Sequence, residues 1–190
     1  LLYERLQGMR RHIAVDGKTS RGSADKTNER PAVHTVSAWM SDAGLVLGQI
    51  KTEEKSNEIT AIPELLKLLD IREATLTIDA MGCQTEIASV IKAEGGEYLL
   101  AVKDNQPTLY GDIQASFQDA LDETPRPMDQ PAPLPVETTH EVDKGHGRIE
   151  ERTVHVMRDL SWISTLSKWL GLTFIVMVIS KRTDLASGKE

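Results

Sequence analysis

The chain has 190 residues, of which 39% are hydrophobic and 27% charged, which suits one globular domain with a sizeable core and excludes a disordered chain. Its single cysteine excludes an internal disulfide and a cysteine-based metal site, and so favours a reducing cytoplasm. The longest apolar run, Phe174–Ile179, is far short of the roughly 20 residues that cross a bilayer, so we expect a soluble cytoplasmic protein without membrane contact. A net charge of −7 argues against a generally basic surface, although basic residues between Arg5 and Arg30 leave a local patch open.

The N-terminal third of the sequence predicts a strand, a hairpin and a helix. Ile13–Val15 reads as a short buried strand that ends at Asp16 and Gly17. Two β-rich runs on either side of Ser41–Gly44 predict a hairpin. Apolar residues at helical spacing over 59–69 predict a helix that Ser56 or Asn57 caps.

Strand and helix patterns continue to alternate in the middle of the chain. "ATLTIDA" and "EYLLAVK" predict strands, "CQTEIASVIKAEGG" predicts a helix that Gly95 and Gly96 close, and a further helix begins at Pro107. Cys83 lies near the N-terminus of the first of these helices, and we expect it to be a buried residue rather than a nucleophile. This alternation predicts an α/β fold with a mixed sheet and helices on its faces.

The C-terminal third changes in composition. "TPRPMDQPAPLP" holds five of the eight prolines and predicts a linker. Alternating residues around Lys144–Gly147 predict a second, polar hairpin. "SWISTLSKWLGL" predicts a short helix, and "TFIVMVISKR", apolar on both faces, predicts a central strand.

Two aspartates stand out because each ends an apolar run and precedes small residues. They are Asp16 and Asp79. The carboxyl ends of parallel strands open onto a common crevice, where two converging carboxylates would repel unless a cation lay between them. Oxygen ligands suit Mg²⁺ or Mn²⁺, and two such ions about 4 Å apart can act on a phosphodiester. The alternative is that each aspartate only caps a turn.

The strings "IAVDGKTSRG", "TIDAMGCQ", "YLLAVKDNQP" and "HGRIEER", in this order, closely resemble the H-repeat-associated proteins, which are DDE transposases of bacterial insertion sequences. The resemblance implies a ribonuclease-H-like mixed sheet flanked by helices, with a β-rich insertion before the last strand. It divides the chain into a core at 1–124, a proline-rich linker and hairpin at 125–160, and a return to the core at 161–190.

The resemblance also implies the chemistry. Asp16, Asp79 and a later helical glutamate would hold two Mg²⁺ ions, with Mn²⁺ able to substitute. Water would cleave DNA at insertion-sequence ends, and the freed 3′-hydroxyl would attack target DNA without a covalent protein intermediate. The expected His-Trp-x-x-Glu-Asn motif does not occur, and Glu150 of "HGRIEER" is a weak substitute because its segment alternates like a strand. A chain that stops at Glu190 would then lack its third ligand and be inactive.

DNA is the expected partner, and the full-length protein could form a homo-oligomer. Lys18, Arg21 and Lys103, with Asn105 and Gln106 nearby, are candidates for phosphate contacts, although exposed charges often have no partner. Three other functions stay open: a metal-dependent nuclease without strand transfer, a non-enzymatic DNA-binding module, and an unrelated nucleotide-binding domain. The absence of a glycine-rich phosphate fingerprint weighs against the last.

Overall fold

The computed structural model describes residues 11–20, 23, 32–52, 58–127, 129–145 and 147–184. These residues belong to two compact units, one within Leu1–Pro107 and Ser167–Gly171, the other within Thr108–Leu166 and Leu172–Glu190. None of the helices in the described ranges has the length and apolar character that a membrane crossing requires.

The first unit is built on a five-stranded sheet with two helices. Its strands are β1 (Arg11–Ser20), β2 (Val33–Met40), β3 (Leu45–Thr52), β4 (Ala74–Ile78) and β5 (Glu97–Leu100), and its helices are α1 (Glu58–Lys67) and α2 (Thr85–Ala93). The first three strands form an antiparallel meander, and β4 and β5 follow in parallel on the other side of β1. The predicted α/β class and the predicted hairpin are therefore confirmed.

Helix α1 buries its apolar face against β2 and β3. Four of its apolar side chains are at most 5% exposed: Ala61, Ile62, Leu65 and Leu66. Each buried leucine or isoleucine stabilises the fold by about 1.5–3 kcal/mol. The helical spacing of apolar residues thus predicts this helix correctly, whereas its predicted cap at Ser56 or Asn57 lies outside the described residues.

Strand β1 is longer than the sequence predicts. Its parallel pairing with β4 ends at Val15↔Ile78, but its antiparallel pairing with β2 continues to Ser20↔Val33. Asp16 and Gly17 lie inside the strand, so the strand end predicted at these residues is wrong. The prediction followed the apolar run, which marks where burial ends, whereas hydrogen bonding to β2 decides where the strand ends.

The second unit contains a helix and a three-stranded antiparallel sheet. The helix is α3 (Pro107–Ala120), and the strands are β6 (Val136–Gly145), β7 (Arg148–Met157) and β8 (Ile175–Asp184), in the order β6-β7-β8. The predicted second hairpin is confirmed as β6 and β7. Between α3 and β6, the described residues of the proline-rich segment form neither helix nor strand, as the prolines require.

Two predictions for the C-terminal third are wrong. Among the described strands, β8 lies at the edge of its sheet rather than at the centre, and Val178 is 56% exposed. The predicted short helix is reduced to a single 3₁₀ turn, Leu166–Lys168. Before this turn, the backbone amide of Ser164 donates to Asp112 Oδ2 at 2.8 Å, an interaction that replaces a helical hydrogen bond.

Cys83 gives a direct test of the core of the first unit. Its side chain is fully buried, and burial raises the pKa of the thiol to about 11 because it disfavours the thiolate. At pH 8 only about one such thiol in a thousand is ionised. We predict that iodoacetamide at pH 8, followed by mass spectrometry, modifies the folded chain at least about 100-fold more slowly than the urea-unfolded chain. Equal rates would show that Cys83 is accessible.

Candidate active site

Asp16 and Asp79 follow the last paired residues of two neighbouring parallel strands. The register of β1 and β4 ends at Val15↔Ile78, and each aspartate is the next residue along its strand. Adjacent strands lie about 4.8 Å apart, so the register brings the two backbone positions side by side. Both aspartates are exposed, whereas Val15 and Ile78 are buried. The two aspartates that the sequence pattern singled out therefore occupy neighbouring backbone positions, just beyond the carboxyl end of the β1–β4 pairing.

Asp79 also caps the turn that follows it. Its backbone is extended, with φ −68° and ψ 179°, and its Oδ1 accepts hydrogen bonds from the amides of Met81 (3.1 Å) and Gly82 (3.4 Å). The capping role that was the alternative interpretation thus holds for this residue. In the described part of the chain both bonds go to Oδ1, so the cap orients the carboxylate without using Oδ2.

Packing requires glycine at position 82, three residues after Asp79. A Cβ on Gly82 would overlap Ile78 Cγ2 and lie 3.2 Å from Ile62 Cδ1. Gly82 and Cys83 are both buried, beneath the segment that carries Asp79. The turn can therefore fold back closely onto α1, which fixes the backbone that presents the carboxylate.

Asn105 and Gln106 stabilise the same turn rather than pointing freely to solvent. Asn105 Nδ2 donates to the carbonyl of Ala80 at 2.6 Å, and Gln106 Nε2 donates to the carbonyl of Cys83 at 2.8 Å. The sequence suggested phosphate contacts for these two amides. Their described hydrogen bonds instead tie the segment after β5 to the segment after β4.

Lysines share the sheet face of Asp16. Lys18 is two residues further along β1, and the register Lys18↔Thr35↔Lys51 places Lys51 of β3 on the same face, two strands away. Both lysines are exposed, as is Lys103 beyond the end of β5. Lys51 was missed in the sequence because only the strand register shows which face it occupies. The other candidate, Arg21, lies outside the described residues.

The opposite, core-facing side of β1 carries a polar cluster. His34 Nε2 lies 2.6 Å from Glu58 Oε1, and His34 Nδ1 shares a hydrogen bond of 2.7 Å with Thr19 Oγ1. His34 and Glu58 are 2% and 3% exposed, and in the described part of the chain neither Nε2 nor Oε1 has a hydrogen-bond partner, so their 2.6 Å contact is a close approach without hydrogen-bond geometry. One sequence signal existed: Glu58 stands at i, i+4 and i+7 with Ile62 and Leu65, on the apolar face of α1.

Glu150 is an ion-paired residue. It lies in β7, and its Oε1 and Oε2 contact Arg148 Nε at 2.6 Å and Arg152 Nη2 at 2.8 Å. Two guanidinium groups neutralise this carboxylate, which does not suit a ligand that must attract a divalent cation.

A third acidic ligand is not supplied by the described residues, since no group of three or more His, Cys, Asp or Glu side chains among them could hold a metal ion. Two carboxylates nevertheless suit Mg²⁺, which usually takes one or two from the protein and fills its remaining positions with water and substrate phosphate oxygens. Asp16 and Asp79 therefore have the ligand chemistry that part of a magnesium site requires.

Comparison with known proteins supports the resemblance noted in the sequence. The family model described as "Transposase DDE domain" matches residues 7–184. The "H repeat-associated putative transposase YhhI" of Escherichia coli K12 is 43% identical over 180 residues, which are 94% of this chain and 45% of that protein. "H repeat-associated putative transposase YbfD" of the same organism is 45% identical over 148 residues, 78% of this chain and 54% of that protein.

Two further matches complete the comparison. The "Putative transposase YncI" of Escherichia coli O157:H7 is 43% identical over 178 residues, 90% of this chain and 42% of that protein. A cryo-EM structure of the piggyBac transposase synaptic complex with hairpin DNA matches with a TM-score of 0.40 and 9% identity, over 76% of this chain and 32% of that chain, and this likeness is too low to carry an argument. The chain spans about half the length of the relatives it matches. The family match covers nearly all of the sequence, and the chain belongs to the transposase DDE domain family.

Proposed function

We propose that this chain carries the first two acidic residues of a DDE transposase core that cleaves and joins DNA strands at the ends of an insertion sequence. The observation that carries the proposal is the register of β1 and β4, which sets Asp16 and Asp79 at neighbouring positions. The family and the H-repeat-associated relatives support transposition as the process.

The strand order supports a ribonuclease-H-like core. Three antiparallel strands are followed by two strands that run parallel to the first, in the order β3-β2-β1-β4-β5. In this arrangement β1 is the central strand, and it is the only described strand of the sheet that pairs in parallel on one side and antiparallel on the other. Asp16 lies where the parallel pairing stops.

Mg²⁺, with Mn²⁺ as substitute, is the metal that we propose for this site. A bound divalent ion would polarise a scissile phosphate and make water more acidic. For their part, the residues of the chain hold their oxygens in place: β2 pairing fixes the backbone of Asp16, and the amides of Met81 and Gly82 orient Asp79.

DNA is the proposed substrate, and its backbone would approach over the lysine-bearing face of the sheet. Lys18 and Lys51 lie on the face of Asp16, and Lys103 follows β5. Phosphate binding by a few lysines depends on local charge, so it is compatible with a net charge of −7.

A non-enzymatic DNA-binding module is the second candidate, because Asp79 has an evident structural role as a cap. The substitution Asp79→Asn separates the two functions. Asparagine caps about as well as aspartate, but it lacks the charge that holds a divalent cation.

We predict that Asp79→Asn lowers Mg²⁺-dependent strand cleavage at least about 100-fold while the melting temperature stays within a few degrees. Cleavage is measured on labelled insertion-sequence ends with the complete product of the reading frame that encodes this chain. Asp42→Asn, in the exposed turn between β2 and β3, is the matched control and should cleave normally. Retained cleavage by Asp79→Asn would remove Asp79 from the mechanism and favour the binding module.

Strand transfer distinguishes a transposase from a related nuclease. When precut ends with free 3′-hydroxyls are supplied with a target plasmid, we expect joined products on a gel, and we expect Asp16→Asn to abolish them. Cleavage of intact ends without joining of precut ends would identify a nuclease that lacks the transfer step.

The proposed DNA face predicts a change in salt dependence. Lys18→Gln and Lys51→Gln should each weaken DNA binding without changing sequence preference, and each should reduce the slope of log K against log salt by about 1. Fluorescence anisotropy at several salt concentrations measures the slope. Lys67→Gln, at the end of α1, is the control, and a slope change of equal size in this variant would place the DNA elsewhere.

A further inference from the structure

We propose that Thr19, His34 and Glu58, which we call the polar chain, form a positioning device that holds the segment of β1 bearing Asp16 in the geometry that cation binding requires. This inference rests on the proposed function, since it assigns a role relative to the proposed metal site. Three features of the first unit carry it.

The first feature is that the segment of β1 bearing Asp16 is hydrogen-bonded to a described neighbouring strand on one side only. Among the described strands, Asp16–Ser20 pair with β2 alone, because β4 ends at Ile78. A strand segment paired on one side has half of the backbone hydrogen bonds of a central strand and moves more easily. Precise placement of Asp16 therefore calls for further contacts.

The second feature is that the polar chain supplies such contacts from the core side. Thr19 lies opposite His34 in the register of β1 and β2, and Glu58 comes from α1. The contacts of 2.7 Å and 2.6 Å use both ring nitrogens of His34. Nδ1 shares a hydrogen bond with the Thr19 hydroxyl, and Nε2 lies against the Glu58 carboxylate. The imidazole is thereby fixed in one orientation, and it links strand β1 to helix α1.

The third feature is the direct contact of α1 with the residue after Asp16. A Cβ on Gly17 would lie 2.6 Å from Glu58 Oε2 and nearer still to Oε1. The Glu58 carboxylate therefore packs against the β1 backbone between Asp16 and Lys18, on the face opposite to their side chains. Gly17 is the residue type that allows this approach.

Stability alone does not call for the polar chain. A buried charged group must be paired, and replacement of a buried ionic pair by apolar residues of similar volume is often neutral or stabilising. The hydrogen bond between Thr19 and His34 is directional, however, whereas apolar contacts are not. The polar chain therefore fixes the position of β1 relative to α1. Removal of contacts that support a metal ligand typically lowers metal affinity 10–100-fold.

Thr19→Val and Thr19→Ser form the matched pair for the test. Valine keeps the shape of threonine and its tendency to form strands but lacks the hydroxyl, and serine keeps the hydroxyl. Mn²⁺ is titrated into the ¹⁵N-labelled 190-residue chain, and its paramagnetic broadening of the Gly17 and Ala80 amides gives the affinity, with the Gly44 amide as a distant control. Thermal melting of each variant reports stability.

We expect Thr19→Val to weaken Mn²⁺ binding about tenfold at unchanged melting temperature, and Thr19→Ser to bind within about twofold of the unaltered chain. Should Thr19→Val fail to fold, Thr19→Ala makes the same deletion of the hydroxyl with less bulk. Equal affinities for the unaltered chain and the hydroxyl-free variant, or equal losses in the valine and serine variants, would overturn the positioning role.

Asp16→Asn and Asp79→Asn separate this inference from the proposed function. If both abolish the selective broadening while Thr19→Val does not alter it, the metal site stands and the positioning role falls. If neither changes the broadening, the proposed metal site itself fails, and the positioning role fails with it.

Discussion

The parallel pairing of β1 and β4 determines where the two aspartates of the candidate site lie. This pairing stops at Val15↔Ile78, and both chains continue into an aspartate. β4 then turns away through the cap of Asp79, while β1 runs on beside β2. The carboxyl ends of parallel strands are where ligands commonly bind in sheets of this kind. The two aspartates occupy neighbouring backbone positions because two segments 63 positions apart in sequence share one hydrogen-bond register.

The two aspartates are held in different ways. Asp79 is fixed locally, since the amides that hold its Oδ1 come from the next three residues and Gly82 permits the tight turn. Asp16 is fixed from a distance, by β2 on one side and by the polar chain beneath Gly17. Glycine has the same physical function in both places, because a Cβ at either position would collide with a neighbouring side chain. Sequence motifs that combine an acid with glycine thus reflect close packing as well as chemistry.

The sequence predicts local features of the fold well and long-range ones poorly. The helical spacing in α1 and the turn between β2 and β3 depend on neighbouring residues, and both predictions are confirmed. The end of β1 and the edge position of β8 depend on partners far away in sequence, and both predictions are wrong.

For the candidate site, apolar runs point to Asp16 and Asp79, but not to the residues that support them. Glu58 lies in the first turn of α1, where an acidic residue is common, and its contact with β2 is evident only in the structure. The face that Lys51 occupies can be assigned only from the register of three strands. The sequence suggests phosphate contacts for Asn105 and Gln106. It cannot show that these side chains donate to the carbonyls of Ala80 and Cys83, because those groups come together only in the folded chain.

If Asp16 and Asp79 bind one divalent cation together, anomalous scattering from Mn²⁺ in a crystal of the chain will locate that ion between them. We predict a peak within about 2.3 Å of one carboxylate oxygen from each residue, with Oδ2 as the ligand atom of Asp79. A peak at one aspartate that excludes the other, or none at either when Mn²⁺ is bound elsewhere, would contradict the claim.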